Sequence, residues 1–430
     1  MTSWWPGDAD DWSPDEVPGR PGPDHLAAAT EPDGQGPGLE KLVRRRSVIV
    51  CCGTGGVGKT TSAAALALEG ARAGRKVCVL TIDPARRLAD ALGLDSLSNA
   101  PTRIDGDWPG ELWALMLDAK GTFDSLVARF ATSEDQAESI LSNRIYRNLT
   151  GGLSGTQEYM AVEKLEELHE EAGFDLVVVD TPPTRRALDF VDAPRRLVRF
   201  LDNRIFRALM TPTRAYLRAV NVATRAFFRT LSGIVGAEVV EDAIAFFQAF
   251  EGMEDGFRDR ANRMLELLTD ESTAFVLVTS PRQDAVEEAT YFADRLSESG
   301  IAVRGLIVNR LHPRFAGPSG EGAEEIGKTL ASHSGDASAT APGVEAGAQA
   351  NEAPSGGVLE AHLANLRDLE AVAAREEASF APLAAQLAPA AVVRVPVLPS
   401  DVSDLGGLTA VATYLAGEEP SAAALTPFAR

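Results

Sequence analysis

A glycine loop set between two stretches of opposite character limits this chain more than anything else in it. Residues 47–52, SVIVCC, are apolar throughout after Ser47; residues 53–59, GTGGVGK, follow; residues 60–74, TTSAAALALEGARAG, then read as a helix rich in alanine and leucine. A run apolar at every position is what a strand covered on both faces requires. Within the loop, Gly53, Gly58, Lys59 and Thr60 fit G-x-x-x-x-G-K-[ST]. That spacing suits a phosphate. Glycines let backbone N–H groups converge, the helix N-terminus adds partial positive charge, the lysine reaches the β and γ oxygens, and the hydroxyl ligates magnesium. A glycine-rich turn alone would say little, but the full spacing between strand and helix predicts that Gly53, Thr54, Gly55, Gly56, Val57, Gly58, Lys59, Thr60 and Thr61 hold the phosphates of a nucleotide, with Thr60 on the metal.

Six further apolar runs complete the pattern: 76–82, 112–117, 174–180, 274–280, 303–309 and 392–398. They alternate with long helical stretches, which predicts an α/β fold with a mostly parallel, helix-covered sheet and a helical lid insertion. Each run is followed by Gly, Asp, Asn or Pro, so the chemically active residues fall at the C-terminal ends of strands, where ligands bind in open α/β sheets.

Two acids stand at such ends. Asp83, in TIDPARRLADALGL, precedes a proline and an amphipathic helix; Asp180, in LVVVDTPPTRRALDF, ends a buried strand. An aspartate there caps a helix in ordinary chemistry, and Pro84 suits the first helical position. Beside a phosphate loop, Asp180 also fits an acid that holds magnesium, and Asp83 one that orients the attacking water.

Composition limits the alternatives. The chain has 430 residues and a formal net charge of −21. Residues 1–40 hold nine acids and one arginine, and residues 316–358 six acids and one lysine, so more than half of that charge sits in two segments. Both are rich in Gly, Pro, Ala and Ser and poor in large apolar side chains, which predicts disorder. The expected organisation is an acidic tail over 1–42, one domain over 43–417 with a helical subdomain at 186–268 and an acidic insertion at 316–358, and a tail over 418–430. The acidic balance points away from nucleic acid. Cys51, Cys52 and Cys78 are the only cysteines, all inside apolar runs and without CxxC spacing. They read as buried thiols in a reducing cytoplasm, not as a metal site. The N-terminus lacks the basic start and apolar stretch of a signal peptide, which makes the expected location cytoplasmic.

Taken in order, GTGGVGKTT, TIDPARRLADAL, VVVDTPPTRRALDF, LIVNR and VPVLPSDVSDLGGL resemble the ArsA/GET3 group of P-loop ATPases, the anion-pump and tail-anchored-protein-targeting ATPases related to MinD. The resemblance covers about 45–315 and 359–417. It implies ATP and Mg2+ as cofactors, ATP enclosed at a nucleotide-dependent homodimer or heterodimer interface, and hydrolysis that resets two switch segments. By position, Asp83 matches the aspartate that positions water, Asp180 the one near magnesium, and Asn309 the asparagine that reads adenine, while Pro399 to Asp401 pack around the base. The catalytic set it implies is Lys59, Asp83 and Asp180.

One departure bears on function. Related ATPases carry a lysine before the paired glycines, as KGGxGK, which reaches the partner's phosphates; here the position is Thr54. The metalloid-binding cysteine triad and the CxxC zinc clasp of some relatives are absent too. Residues 185–229 hold eleven arginines against three aspartates, with Arg214, Arg218, Arg225 and Arg229 spaced for one helical face. That segment suits an anionic or membrane-protein client, or simply a solvated face over a packed lid. The expected function is an ATPase whose dimer switching drives transport, targeting or partner regulation. The alternatives are a weakly active subunit regulating a lysine-bearing paralogue, or a chaperone for hydrophobic helices.

Overall fold

The computed structural model of the chain describes residues 38–83, 87–147, 155–182, 184–202, 252–314, 356–399 and 401–418, with a few positions between 242 and 250. Its strands are β1 (Val48–Gly53), β2 (Lys76–Thr81), β3 (Thr102–Ile104), β4 (Glu111–Met116), β5 (Leu176–Asp180), β6 (Thr273–Thr279), β7 (Val303–Leu311) and β8 (Ala391–Pro396). The longer helices are α1 (Glu40–Arg45), α2 (Lys59–Arg72), α3 (Arg87–Ala91), α4 (Ala119–Phe130), α5 (Glu134–Ser142), α6 (Thr156–Glu170), α7 (Thr184–Asp202), α8 (Glu254–Thr269), α9 (Gln283–Glu298), α10 (Gly356–Gln386) and α11 (Leu405–Ala416).

The strands form one sheet in the order β3-β4-β2-β5-β1-β6-β7-β8, parallel throughout except where β3 runs against β4. All seven apolar runs appear as strands. The eighth, β3, is three residues of TRI with an exposed arginine, too short and too polar to show as an apolar run.

Side chains of each central strand alternate between two cores, which is why the strands are apolar at every position. Val48, Val50 and Cys52 of β1 join Val177 and Val179 of β5 on one face. Ile49 and Cys51 join Leu176 and Val178 on the other. The three cysteines are buried free thiols inside this packing, and burial pushes the Cys52 thiol up to about 12. Each large aliphatic side chain so buried contributes roughly 1.5–3 kcal/mol.

α2 lies on the second face with Ala63, Ala64, Ala65, Ala67 and Ala71 buried. It comes so close that a Cβ on Gly70 would meet Val77 Cγ2 at 2.8 Å. α11 packs on α2, and α1 is tied in by Leu39 N donating to the Leu415 carbonyl at 2.7 Å. α1 starts inside the segment expected to be a tail, because Leu39, Leu42 and Val43 are buried. α10 likewise starts two residues ahead of the expected boundary at 358.

The helical region expected at 186–268 is represented by α7 and α8, which pack on each other. Arg214, Arg218, Arg225 and Arg229 lie outside the described residues, as do most of the acidic segments at 1–42 and 316–358 and the tail from 419. Among the described residues no helix is long and apolar enough to cross a membrane.

Candidate functional site

β1, β5 and β2 lie side by side and end level with one another: Cys51 pairs with Asp180, and Asp180 with Thr81. The chain leaves β1 for β2 on one side of the sheet and later returns to β6 on the other, so the loop after β1 sits where a crevice opens. Gly53 makes that exit possible, since its φ is +151° and a Cβ there would lie 2.0 Å from the Val278 carbonyl oxygen of β6. Gly55 and Gly56 are exposed, Thr54 and Val57 buried. Gly58, with φ +96°, opens α2.

Lys59 is 7% exposed. Its Nζ donates to the Thr54 carbonyl at 2.7 Å, folding the ammonium back over the loop. Burial lowers its pKa, and Asp180 is the strongest opposing charge. The Thr54 hydroxyl donates to the Gly55 carbonyl.

Asp180 is the centre of the arrangement. Its Oδ2 accepts from the hydroxyls of Thr60 at 2.8 Å and Thr81 at 2.9 Å. Its Oδ1 is buried and has no hydrogen-bond partner. Among the described residues no cationic side chain lies within 4.0 Å of it. Burial raises its carboxyl to about 6, against the pull of the two hydroxyls and Lys59. A buried carboxylate oxygen without a donor is costly unless something else meets it. The donor set is hard oxygen, a carboxylate beside a hydroxyl whose lone pairs remain free, and this suits a magnesium ion. These residues fit the metal.

Asp83 follows β2 by two residues. Its amide donates to Thr81 Oγ1 at 3.3 Å, and its carboxylate lies 4.0 Å from Arg87. Asn309, near the end of β7, reaches the phosphate-type loop: its Nδ2 donates to the Val57 carbonyl at 2.8 Å, and a Cβ on Gly58 would lie 2.2 Å from that nitrogen. The Asn309 Oδ1 accepts from Arg310 N. Nδ2 keeps a second hydrogen and Oδ1 a second lone pair, so both can still meet the edge of a base. Pro399 and Asp401 are exposed in the loop after β8, the strand beside β7; no described contact joins them to the loop at 53–58. Thr61 is half-buried in the first turn of α2.

Three polar partners were not foreseen from the sequence. Thr81 holds Asp180, Thr181 donates to the Cys51 carbonyl at 2.7 Å, and Gln157 of α6 donates to the Ile82 carbonyl at 3.0 Å. The two threonines carried a readable signal, a hydroxyl at or just past a buried strand end beside a motif aspartate. Gln157 carried none.

A strand, a glycine loop and a helix that buries its first lysine, with a strand-end aspartate held by Thr60 just after that lysine, define this as a member of the P-loop NTPase fold. The model of the family described as Anion-transporting ATPase matches residues 46–318. The chain belongs to that family, and it is an ATPase. Relatives agree at low identity. The ATPase GET3 of Malassezia globosa is 25% identical over 66% of this chain and 78% of its own length. The ATPase asna-1 of Caenorhabditis elegans is 24% identical over 60% and 72%. The ATPase ARSA1 of Chlamydomonas reinhardtii is 27% identical over 62% of this chain but 35% of its own greater length.

Proposed function

We propose that this chain binds Mg-ATP in the loop formed by residues 53–61 and hydrolyses it as part of a dimer, using the cycle to drive a targeting, transport or partner-regulation step. The observation that carries the reading is the buried, donor-free Oδ1 of Asp180 beside the Thr60 hydroxyl. On this reading Thr60 and Asp180 would hold magnesium, and the ion would supply positive charge against the phosphates. The N–H groups of residues 54–60 face the phosphates. Lys59 leaves the Thr54 carbonyl for the γ-phosphate, and Asp83 orients the water. Asn309, Pro399 and Asp401 flank the adenine. The resemblance to tail-anchored-protein-targeting ATPases favours a membrane-protein client for the arginine-rich segment at 185–229, and the family description favours an anion.

Thr54 supports a second reading, in which this chain is the slower member of a pair. A neutral hydroxyl cannot carry positive charge to a partner's γ-phosphate, a contribution worth about 10³–10⁵ in rate where an arginine finger makes it. Steady-state phosphate release by the parent, by Thr54→Lys and by a mixture with a KGGxGK paralogue tests both readings. Slow magnesium-dependent turnover by the parent, a gain in Thr54→Lys and a more than additive rate in the mixture support the pair. Fast turnover by the parent with no gain elsewhere removes the pair and leaves the ATPase. No turnover in any sample removes both.

A further inference from the structure

We infer that Thr81 and Gln157 are positioning residues that clamp the peptide unit between Ile82 and Asp83, and that Thr81 couples the position of Asp83 to the occupancy of Asp180. This rests on the reading of Asp83 as the residue that orients water.

The coupling follows from a count of hydrogen bonds. A threonine hydroxyl has one hydrogen and two lone pairs. Thr81 gives its hydrogen to Asp180 Oδ2 at 2.9 Å and takes the Asp83 amide at 3.3 Å. The carbonyl of the same peptide unit, that of Ile82, takes the Gln157 amide at 3.0 Å. Both polar ends of the Ile82–Asp83 peptide are therefore held by side chains, one from β2 and one from α6. The preceding amide, Ile82 N, donates to the Asp180 carbonyl at 3.1 Å, which anchors the segment to β5 as well.

α6 is itself well fixed. Glu158, 3% exposed, accepts from Gly155 N at 3.0 Å, and Tyr159, Met160 and Ala161 are buried. Gln157 is thus a rigid arm, not a surface amide that happens to touch a loop. Thr81 is 1% exposed, a depth at which a lost hydrogen-bond partner is costly. Any change at Asp180 Oδ2 is felt by the hydroxyl, and through it by the Asp83 amide. Asp83 sits beyond the end of β2, and this clamp sets where its carboxylate points. Positioning of this kind matters most in the reacting complex, where a displacement near 1 Å can cost about 10²-fold in rate.

The test uses the full chain. Thr81→Val keeps the shape and removes both hydrogen bonds; Thr81→Ser restores them; Gln157→Met removes the second anchor from a half-buried position that leaves the core intact. In nucleotide-free protein, hydrogen exchange of the Asp83 amide should accelerate at least tenfold in Thr81→Val and Gln157→Met and return to the parent rate in Thr81→Ser. In steady-state assays with Mg-ATP, Thr81→Val should lose tenfold or more in kcat with KM within twofold, and Thr81→Ser should recover most of it. Parent-like exchange and kcat in both Thr81→Val and Gln157→Met overturn the clamp. So does a loss that falls on KM, or one that serine does not rescue. If Thr81→Val does not fold, Gln157→Met carries the same two readouts. A parent that turns over no ATP defeats the reading of Asp83, whereas unchanged amide exchange defeats the clamp whatever the activity.

Discussion

At the C-terminal ends of β1 and β5 a lysine and an aspartate are buried without touching each other, whereas between α6 and α8 the buried acids Glu163 and Glu166 both touch a guanidinium. Glu163, Glu166 and Arg260 are 3–4% exposed at their side chains. Arg260 Nε meets Glu163, its Nη2 meets Glu166 Oε2 at 2.5 Å, and Arg263 adds a contact to Glu166 at 3.2 Å. That cluster matches its charges within the protein, although Glu163 Oε2 is itself buried without a donor. The strand-end site does not: Lys59 leans on a backbone carbonyl, and among the described residues no cationic side chain lies within 4.0 Å of Asp180, whose Oδ1 has no donor. Burying charge is expensive in both places. In one the protein supplies the counter-charge, and in the other, on the proposed reading, a ligand carrying phosphate and a cation supplies it. A buried charge left unpaired by its own chain is the better guide to a functional site.

The strongest challenge to this contrast comes from the cluster. Arg260→Met leaves Glu163 buried without a guanidinium and Glu166 with Arg263 alone, and should cost about 3–5 kcal/mol of stability. Urea denaturation should show the loss, while nucleotide affinity of the folded fraction stays within about threefold, because the change is not at the strand ends. A stability loss under about 1 kcal/mol would show that the ions are solvated and not paired. Asp180→Asn should do the reverse. Removing a buried carboxylate with no cation beside it should leave the nucleotide-free melting temperature unchanged or raise it by about 2–4 °C, corresponding to about 1 kcal/mol. The same change should abolish the magnesium dependence of turnover. A destabilised Asp180→Asn variant with normal magnesium response would turn the contrast upside down.

A pH dependence is the weakest of these effects. Burial, only partly offset by Arg260, raises the Glu163 carboxyl to about 7. The native state therefore keeps a proton that the unfolded chain has released above about pH 4.5. Stability from this group is fully present below about pH 4.5 and lost as pH rises through about 7. Glu163→Gln cannot titrate, so the parent should lose stability relative to the mutant between about pH 5 and pH 8. Parallel curves in urea melts across that window would contradict the assignment.

How legible each region was in the sequence follows from the same contrast. The site at 53–60 is local: its glycines, lysine and threonine lie within eight residues, each demanded by backbone geometry or charge, and Asp180 is marked by the apolar strand before it. The central strands were legible because both faces are covered, and the outer ones because their apolar runs are bounded by turn residues. The ion cluster was not, because in the sequence Arg260 is one charge among several in EDGFRDRANRMLELLT, and only the packing of α8 on α6 buries it against Glu163. Gln157 was silent for a similar reason, since 75 residues separate it from the carbonyl it holds. Contacts made by long-range packing leave no periodic trace in a single chain.

Completion of the strand-end site by Mg-ATP is probed more sharply by Lys59→Ala than by any other change. Steady-state phosphate release should be measured for parent and mutant, with magnesium and with chelator, beside the nucleotide-free melting temperature of each. The parent should turn over only with magnesium, the mutant should lose about 10²–10³-fold as a buried positive charge leaves the phosphates, and the two melting temperatures should stay together. Equal turnover in parent and mutant would contradict a phosphate-binding role for this loop.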